Sequence, residues 1–436
     1  MNKTQAQSTR REFLRTSTAV TLGGIAAAHL NLAPQGFAAN TDTLKVGLVG
    51  CGGRGSGAAR DALAADPNTV LTAIADVFAE PCRGAVNALR NDAKFRDRVK
   101  VTPETTFVGL DGYQKLIASG VDVVLLASPP GFRPAHLQAA VAAGKHVFCE
   151  KPMATDAPGV RTVLAAAAAA KEKKLSLVAG FCWRADTACR EFYKRVHDGA
   201  IGDVRFVHAT YLTGPVKPMP PASARPAGMT DIEWQLRHWY NFVWLSGDGL
   251  VEQACHSVDK IAWAMNGLLP VKAVATGGRV VPNNEGNIFD HIDVFYEYPG
   301  GVRATMAQRQ IPNCYSDNSD YLLGSKGTGQ CGWNPPVIRG ETNWRQQGPR
   351  PGAEMYVQEH RELFASIRSG EARNDGVWMA HSTLMALMGR TAAYTGQEIA
   401  WEQMLESKEQ LVPENPTWDM KLPIPPMAVP GKTKFA

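Results

Sequence analysis

Val49-Gly50-Cys51-Gly52-Gly53-Arg54-Gly55 is the stretch that decides the fold of this chain. It follows an apolar run, Leu44–Val49, and leads into a helical pattern at Ala58–Ala65, so a strand gives way to a helix across glycines spaced Gly50-x-Gly52-x-x-Gly55. In that setting the first glycine permits the tight turn, the second lets the backbone approach a pyrophosphate, and the third lets the helix pack closely. Gly53 lies in the same turn, and Arg54 is placed to reach the phosphates, whose charge meets the positive end of the helix. Asp76 closes the next apolar run, 21 residues beyond Gly55, where a carboxylate accepts from ribose hydroxyls and repels an added 2′-phosphate. NAD is therefore the expected cofactor, with NADP as the lesser alternative.

Working outward, short apolar runs at Val70–Ala75, Val121–Ala127, His146–Cys149 and Leu175–Ala179 alternate with helical patterns at Ala79–Leu89, Pro134–Ala143 and Val160–Lys173. Strands that are apolar throughout and separated by helices predict a parallel sheet covered on both faces, of the Rossmann type. After Gly199-Ala200-Ile201-Gly202 the character changes. Val204–Leu212, Val271–Val281, Ile288–Tyr298 and Val302–Gln310 alternate apolar and polar residues, as an antiparallel open sheet with one covered face requires, and Pro-Gly-Gly at 299–301 supplies a hairpin turn. Thr230–Gly267 reads as aromatic-rich and mostly helical, and Pro215–Pro226, with five prolines, as a loop or lid. Glu359–Arg368 and Ala380–Tyr394 read as helices. The expected division is a leader at 1–38, a dinucleotide-binding Rossmann domain at 44–182, a substrate-binding α+β domain at 183–400 and a Pro-rich arm at 401–436.

Glu150-Lys151-Pro152 follows the fifth of these parallel strands, at the carboxyl end where open α/β sheets bind ligands. Together with the glycine run, Gly180-Phe181-x-x-Arg184 after the sixth strand and Gly199-x-Ile201-Gly202 before the second sheet, this tripeptide resembles the Gfo/Idh/MocA oxidoreductase family over about residues 44 to 400. The resemblance implies that Lys151 lies beside the nicotinamide and the substrate hydroxyl. A lysine ammonium there favours alkoxide character on the substrate and lowers the pKa of a neighbouring base. The family pattern Asp-x-x-x-His matches Glu252 to His256, with Glu252 one methylene longer than the usual Asp; His256 is then the catalytic base and Asp259 the acid that follows it. Glu252 and His256 are four residues apart, on one face of a continuous helix. Histidine suits the task because its ordinary pKa lies near neutrality. Ser128 and Pro129, closing the fourth strand, are expected along the dinucleotide together with Glu150 and Arg184. Arg237, Trp239 and Tyr240, in the segment Leu236–Trp244, offer the aromatic faces and polar donors of a sugar site.

The opening Ser8-Thr9-Arg10-Arg11-Glu12-Phe13-Leu14-Arg15, with an apolar stretch from Ala19 to Leu32 too short for a bilayer, resembles a leader for the twin-arginine translocase, which exports folded proteins. A periplasmic or otherwise exported enzyme leaves the cytoplasmic nucleotide pool behind, so its cofactor is expected to travel tightly bound. Loss of residues 1–38 removes four basic residues and one acidic one, taking the formal charge from +5 to +2. Near-neutrality argues against nucleic acid or anionic membrane as partners, and eight cysteines without a Cys-x-x-Cys pair argue against a metal site. The function expected is NAD(P)-dependent hydride transfer at a secondary hydroxyl of a sugar, cyclitol or related polyol, by a homo-oligomer without a membrane anchor. Redox-neutral glycoside cleavage by transient oxidation, and non-catalytic nucleotide binding, are the alternatives.

Overall fold

The computed structural model describes residues 42–348, 351–352 and 354–435; the leader expected at the amino terminus lies outside them. Six parallel strands, β1 (Leu44–Val49), β2 (Thr69–Asp76), β3 (Thr106–Val108), β4 (Val123–Leu126), β5 (His146–Glu150) and β6 (Leu177–Gly180), form a sheet of order β3-β2-β1-β4-β5-β6. The order reverses at β1, which pairs with β2 on one side and β4 on the other. That switch opens a crevice beyond the carboxyl ends of the strands. The sheet is buried on both faces: β4 and β5 are enclosed at every residue, as the apolar run Val123–Leu126 and the apolar centre Val147–Cys149 require.

A second sheet has nine strands: β7 (Val204–Thr213), β8 (Lys272–Gly278), β9 (His291–Glu297), β10 (Arg303–Gln310), β11 (Ser319–Gly324), β12 (Gly327–Gly332), β13 (Val337–Gly340), β14 (Trp344–Arg345) and β15 (Ile399–Ala400). Its order is β14-β13-β12-β11-β7-β10-β9-β8-β15. Most pairs are antiparallel, as expected, and Gly300 and Gly301 turn the β9–β10 hairpin with φ of 76° and 80°. One pair departs from the expectation: β10 lies parallel to β7. The long helical crossover between β7 and β8 delivers the β8–β9–β10 meander so that its third strand runs in the direction of β7. The helices Cys255–Ala264 and Gly376–Thr395 cover one face of this sheet, and the second is buried along nearly its whole length. Among the described residues no helix is long and apolar enough to cross a membrane.

Thr230–Gly267 is mostly helical, as expected, in a series of short helices, Asp231–Arg237, Val243–Ser246, Gly249–Glu252 and Cys255–Ala264. Gly247 at φ 82° and Asp248 at φ 113° interrupt it, the Asp248 carboxylate accepting from Leu250 N and Phe289 N to stabilise the break. The Pro-rich arm begins later than residue 401, because Trp401–Glu406 is a helix.

Candidate active site

The glycine turn has the steric features of a dinucleotide cradle. Gly50 adopts φ +91°, and a Cβ there would lie 2.5 Å from the backbone of Ala127 and Ser128. At Gly55 a Cβ would come within 1.7 Å of the Gly50 carbonyl oxygen, which is why the helix Gly53–Ala65 approaches the turn only with glycine at this position. Gly52 and Gly53 behave differently: nothing lies within 4 Å of an added Cβ, so their backbone faces open space at a helix start that no side chain caps. Space of this kind fits a pyrophosphate on helix N–H groups. Gly50, Asp76, Ser128 and Pro129 line one cleft at the switch point. Asp76 accepts from Cys51 N at 2.7 Å and Phe78 N at 3.0 Å, and burial raises its pKa. Ser128 Oγ pairs with His136 Nδ1 at 3.0 Å on the opposite wall.

Beyond β5 the chain brings Lys151 and Glu252 together. Lys151 Nζ donates to the main-chain oxygen of Glu252 and lies 3.3 Å from its Oε1, with both side chains buried. Burial opposes the lysine charge, but Glu252 and its other neighbours outweigh this and raise the ammonium pKa. Arg133, itself buried, donates to Pro152 O at 2.6 Å and so fixes the turn after Lys151. His256 stands at the start of the next helix, edge-on to Phe181 with ring centroids 6.1 Å apart. Burial, and after it the charges of Lys151, Lys260 and Arg54, hold its pKa well below 6.5, leaving a neutral imidazole at neutral pH. Because the helix breaks at Gln253–Ala254, Glu252 and His256 belong to two short helices and not to one helical face. Glu252 Oε2 and His256 Nδ1 are both buried without a hydrogen-bond partner. Such atoms are costly unless a ligand engages them.

Other predicted residues are occupied elsewhere. Arg54 is engaged by carboxylates: its Nε donates to Glu150 Oε1 at 2.6 Å, and Asp61 and Glu359 lie within 4 Å of Nη2. Glu150 is accordingly buried in that ion pair instead of lining the cleft. Arg184 and Asp259 satisfy one another in a bidentate pair, both contacts at 2.9 Å, and Ser382 Oγ donates to Asp259 Oδ1 at 2.7 Å. Arg237 lies over the Phe78 ring at 4.1 Å and donates to Glu233, which places it beside the end of β2 and not beside Lys151. Trp239 packs in two apolar clusters, under the Lys217 ammonium at 5.8 Å. Tyr240 is buried, bonded to Gln310, and lines a cavity of about 190 Å³ with the loop 215–219.

Two residues near Lys151 escaped the sequence reading. Tyr211 donates to Gln253 Oε1 at 2.7 Å, and burial, eased by Lys151, leaves its pKa pushed up to about 12. Gln308, fully buried on β10 beside Gly249, has neither amide atom partnered. The signal was present: Ala304, Met306, Gln308 and Gln310 occupy the buried positions of β10, and the last two are polar where the alternation calls for apolar residues.

A glycine cradle at a switch point, an acid at the end of β2 and a lysine beyond β5 define a dinucleotide-binding oxidoreductase. The chain belongs to the Gfo/Idh/MocA oxidoreductases: residues 44–181 match the family's NAD-binding Rossmann fold and 189–330 its C-terminal domain. It is 28% identical to inositol 2-dehydrogenase of Acidothermus cellulolyticus over 355 residues, 79% of this chain and 90% of the relative. Against inositol 2-dehydrogenase of Acidiphilium cryptum it is 32% identical over 169 residues, which is 39% of this chain and 46% of that enzyme, so the match spans less than half the relative's length. The fold is shared with levoglucosan dehydrogenase in complex with NADH and levoglucosan (TM-score 0.64, 19% identity, 83% of this chain and 100% of the other). It is shared equally with aldose-aldose oxidoreductase from Caulobacter crescentus complexed with glycerol (TM-score 0.63, 20% identity, 82% and 99%).

Proposed function

We propose that this protein oxidises or reduces a secondary hydroxyl of a sugar, cyclitol or related polyol, with His256 as general base and Lys151 as electrostatic stabiliser. The observation that carries the reading is the convergence of Lys151 Nζ on Glu252, with Glu252 Oε2 and His256 Nδ1 left unpartnered in the same buried region. Bound NAD supplies the hydride acceptor. Neutral His256 takes the hydroxyl proton, the Lys151 ammonium offsets the charge that develops on the carbinol oxygen, and Glu252 holds that ammonium in place. Tyr211 and Gln308 add a phenol and an amide at the edge of the same region, suited to a polyhydroxylated ligand. Supporting this reading, relatives that carry the name inositol 2-dehydrogenase match the chain.

The leader-like opening supports export by the twin-arginine route, and with it a nucleotide that stays bound through turnover. On the outer face of the second sheet Val274, Phe295, Tyr321 and Leu323 are exposed, which favours a homo-oligomer formed through that face. The deciding experiment is turnover of a panel of polyols by wild type and His256→Ala. A loss of about 10²-fold or more in kcat, with NAD affinity retained, is expected; full activity in the variant rejects the assignment.

A further inference from the structure

Past the helix Trp401–Glu406 the chain runs back across the dinucleotide-binding end of the molecule. Leu411 N donates to Asp156 Oδ2 at 2.9 Å; further on, Leu422 N donates to Asp231 Oδ2 at 3.0 Å while Leu422 O accepts from Gln235 Nε2 at 2.7 Å. Between these two anchors, residues 412–417 form one wall of a cavity of about 680 Å³. Leu110, Tyr113, Phe132 and His136 contribute to its opposite wall, and the same four residues line the cleft that holds Gly50 and Asp76. The two spaces therefore share a wall. Trp418 then closes on Phe78, two residues beyond Asp76, with ring centroids 5.8 Å apart, and Arg237 lies over the same Phe78 ring.

The direction of a bound dinucleotide follows from this layout. With its pyrophosphate at the open backbone of Gly52 and Gly53 and its adenosine ribose at Asp76, the adenine extends past Asp76 into the space bounded by Leu110, Tyr113 and the arm. We propose that the C-terminal arm, residues 411–424, is the outer wall of the adenosine subsite and that the Trp418–Phe78 contact holds it there, so that NAD leaves only when the arm lifts. The inference rests on the bound-cofactor reading given above and supplies its physical means. An arm tied down at both ends, and by an aromatic contact between them, adds a barrier to dissociation without adding a group to the reaction. The arm also accounts for Arg237, which is spent on the Phe78 side of the cleft and not on substrate.

The test compares two nucleotides on the mature protein: NAD, and nicotinamide mononucleotide, which lacks the adenosine half. Trp418→Ala removes a part-exposed ring, and a second variant ending at Gln410 removes the arm altogether; melting curves establish that each is folded. The expected result for Trp418→Ala is NAD dissociation faster by about tenfold, a change of the size that one aromatic contact at a nucleobase site supports. Affinity for the mononucleotide stays within about twofold. The truncated chain, where folded, shows the same selectivity with a larger NAD effect. Equal weakening of both nucleotides, or unchanged NAD dissociation in Trp418→Ala, overturns the proposal. Wild type that purifies free of nucleotide, yet shows the selective loss with added NAD, refutes the captive cofactor and leaves the arm's role standing.

Discussion

Lys151 Nζ lies 3.3 Å from Glu252 Oε1 and donates to the main-chain oxygen of the same residue, so the glutamate holds the ammonium by two atoms. The longer side chain that stands where the family commonly has aspartate thus still reaches the lysine. His256 feels that ammonium, which helps hold its pKa below 6.5. Removing the positive charge relieves the depression, so in Lys151→Met the pKa of His256 rises and the acidic limb of the kcat/KM profile moves to higher pH. Activity falls at the same time, by about 10²-fold or more. An acidic limb that stays in place or moves to lower pH contradicts the coupling of the two residues.

Arg184 and Asp259 make a different kind of prediction. Their bidentate pair, capped by Ser382 and stacked between Trp263 and Trp378, reads as a structural clasp. Asp259 is almost wholly buried, so Asp259→Ala strands a cation and costs about 3 kcal/mol of stability. The fraction that remains folded keeps kcat within about threefold, because the two groups are engaged with one another. Thermal melts alongside kinetics at low temperature separate the two effects; a large drop in kcat with an unchanged melt would return Asp259 to the substrate.

Much of this was readable in advance because it is local. The Gly50–Gly55 turn, Asp76 at the end of β2 and Lys151 beyond β5 each depend on a few residues and on the end of one strand, and each lies at the carboxyl edge of the parallel sheet. What could not be read depends on partners far apart in sequence. Arg54 looked like a phosphate ligand until Glu359, some 300 residues on, and Glu150 claimed it. Arg184 and Asp259 both carry family-like positions, yet a carboxylate and a guanidinium close in space neutralise each other first. The parallel β7–β10 pair was hidden for the same reason: alternation identifies a strand and its buried face but not its neighbour. The short strands β11 to β14 were missed because glycine and polar residues dilute their pattern.

The glycines of the cradle separate folding from binding. Gly55→Ala drives a methyl group onto the Gly50 carbonyl, so the turn itself must open, and both nucleotide binding and melting temperature fall. Gly52→Ala meets nothing in the protein and leaves the melt of the nucleotide-free chain within about 2 °C. It nonetheless occupies the approach of the pyrophosphate and weakens NAD by about tenfold or more. Calorimetric titration of the two variants checks the contrast. Normal NAD affinity in Gly52→Ala places the phosphates elsewhere.

Acid sensitivity follows from buried histidines. Burial, and Arg133 nearby, lower the pKa of His136 to about 3, and burial lowers His146 to about 4. In the unfolded chain both titrate near 6.5. Above that pH neither state binds the proton and the histidines add no pH dependence. Below it the unfolded state takes protons that the folded state refuses, so stability declines as pH falls, by about 1.4 kcal/mol per pH unit for each histidine, until its folded pKa is reached. Buried carboxyls whose pKa is raised, Asp248 and Glu359, act with the opposite sign, so the histidine contribution is isolated by substitution. His136→Gln keeps a partner for Ser128 and removes one titrating group. Its plot of unfolding free energy against pH between 6 and 4 is therefore expected to be shallower than that of wild type by about 1.4 kcal/mol per unit. An identical slope would mean that His136 takes up its proton in the folded protein as readily as in the unfolded chain.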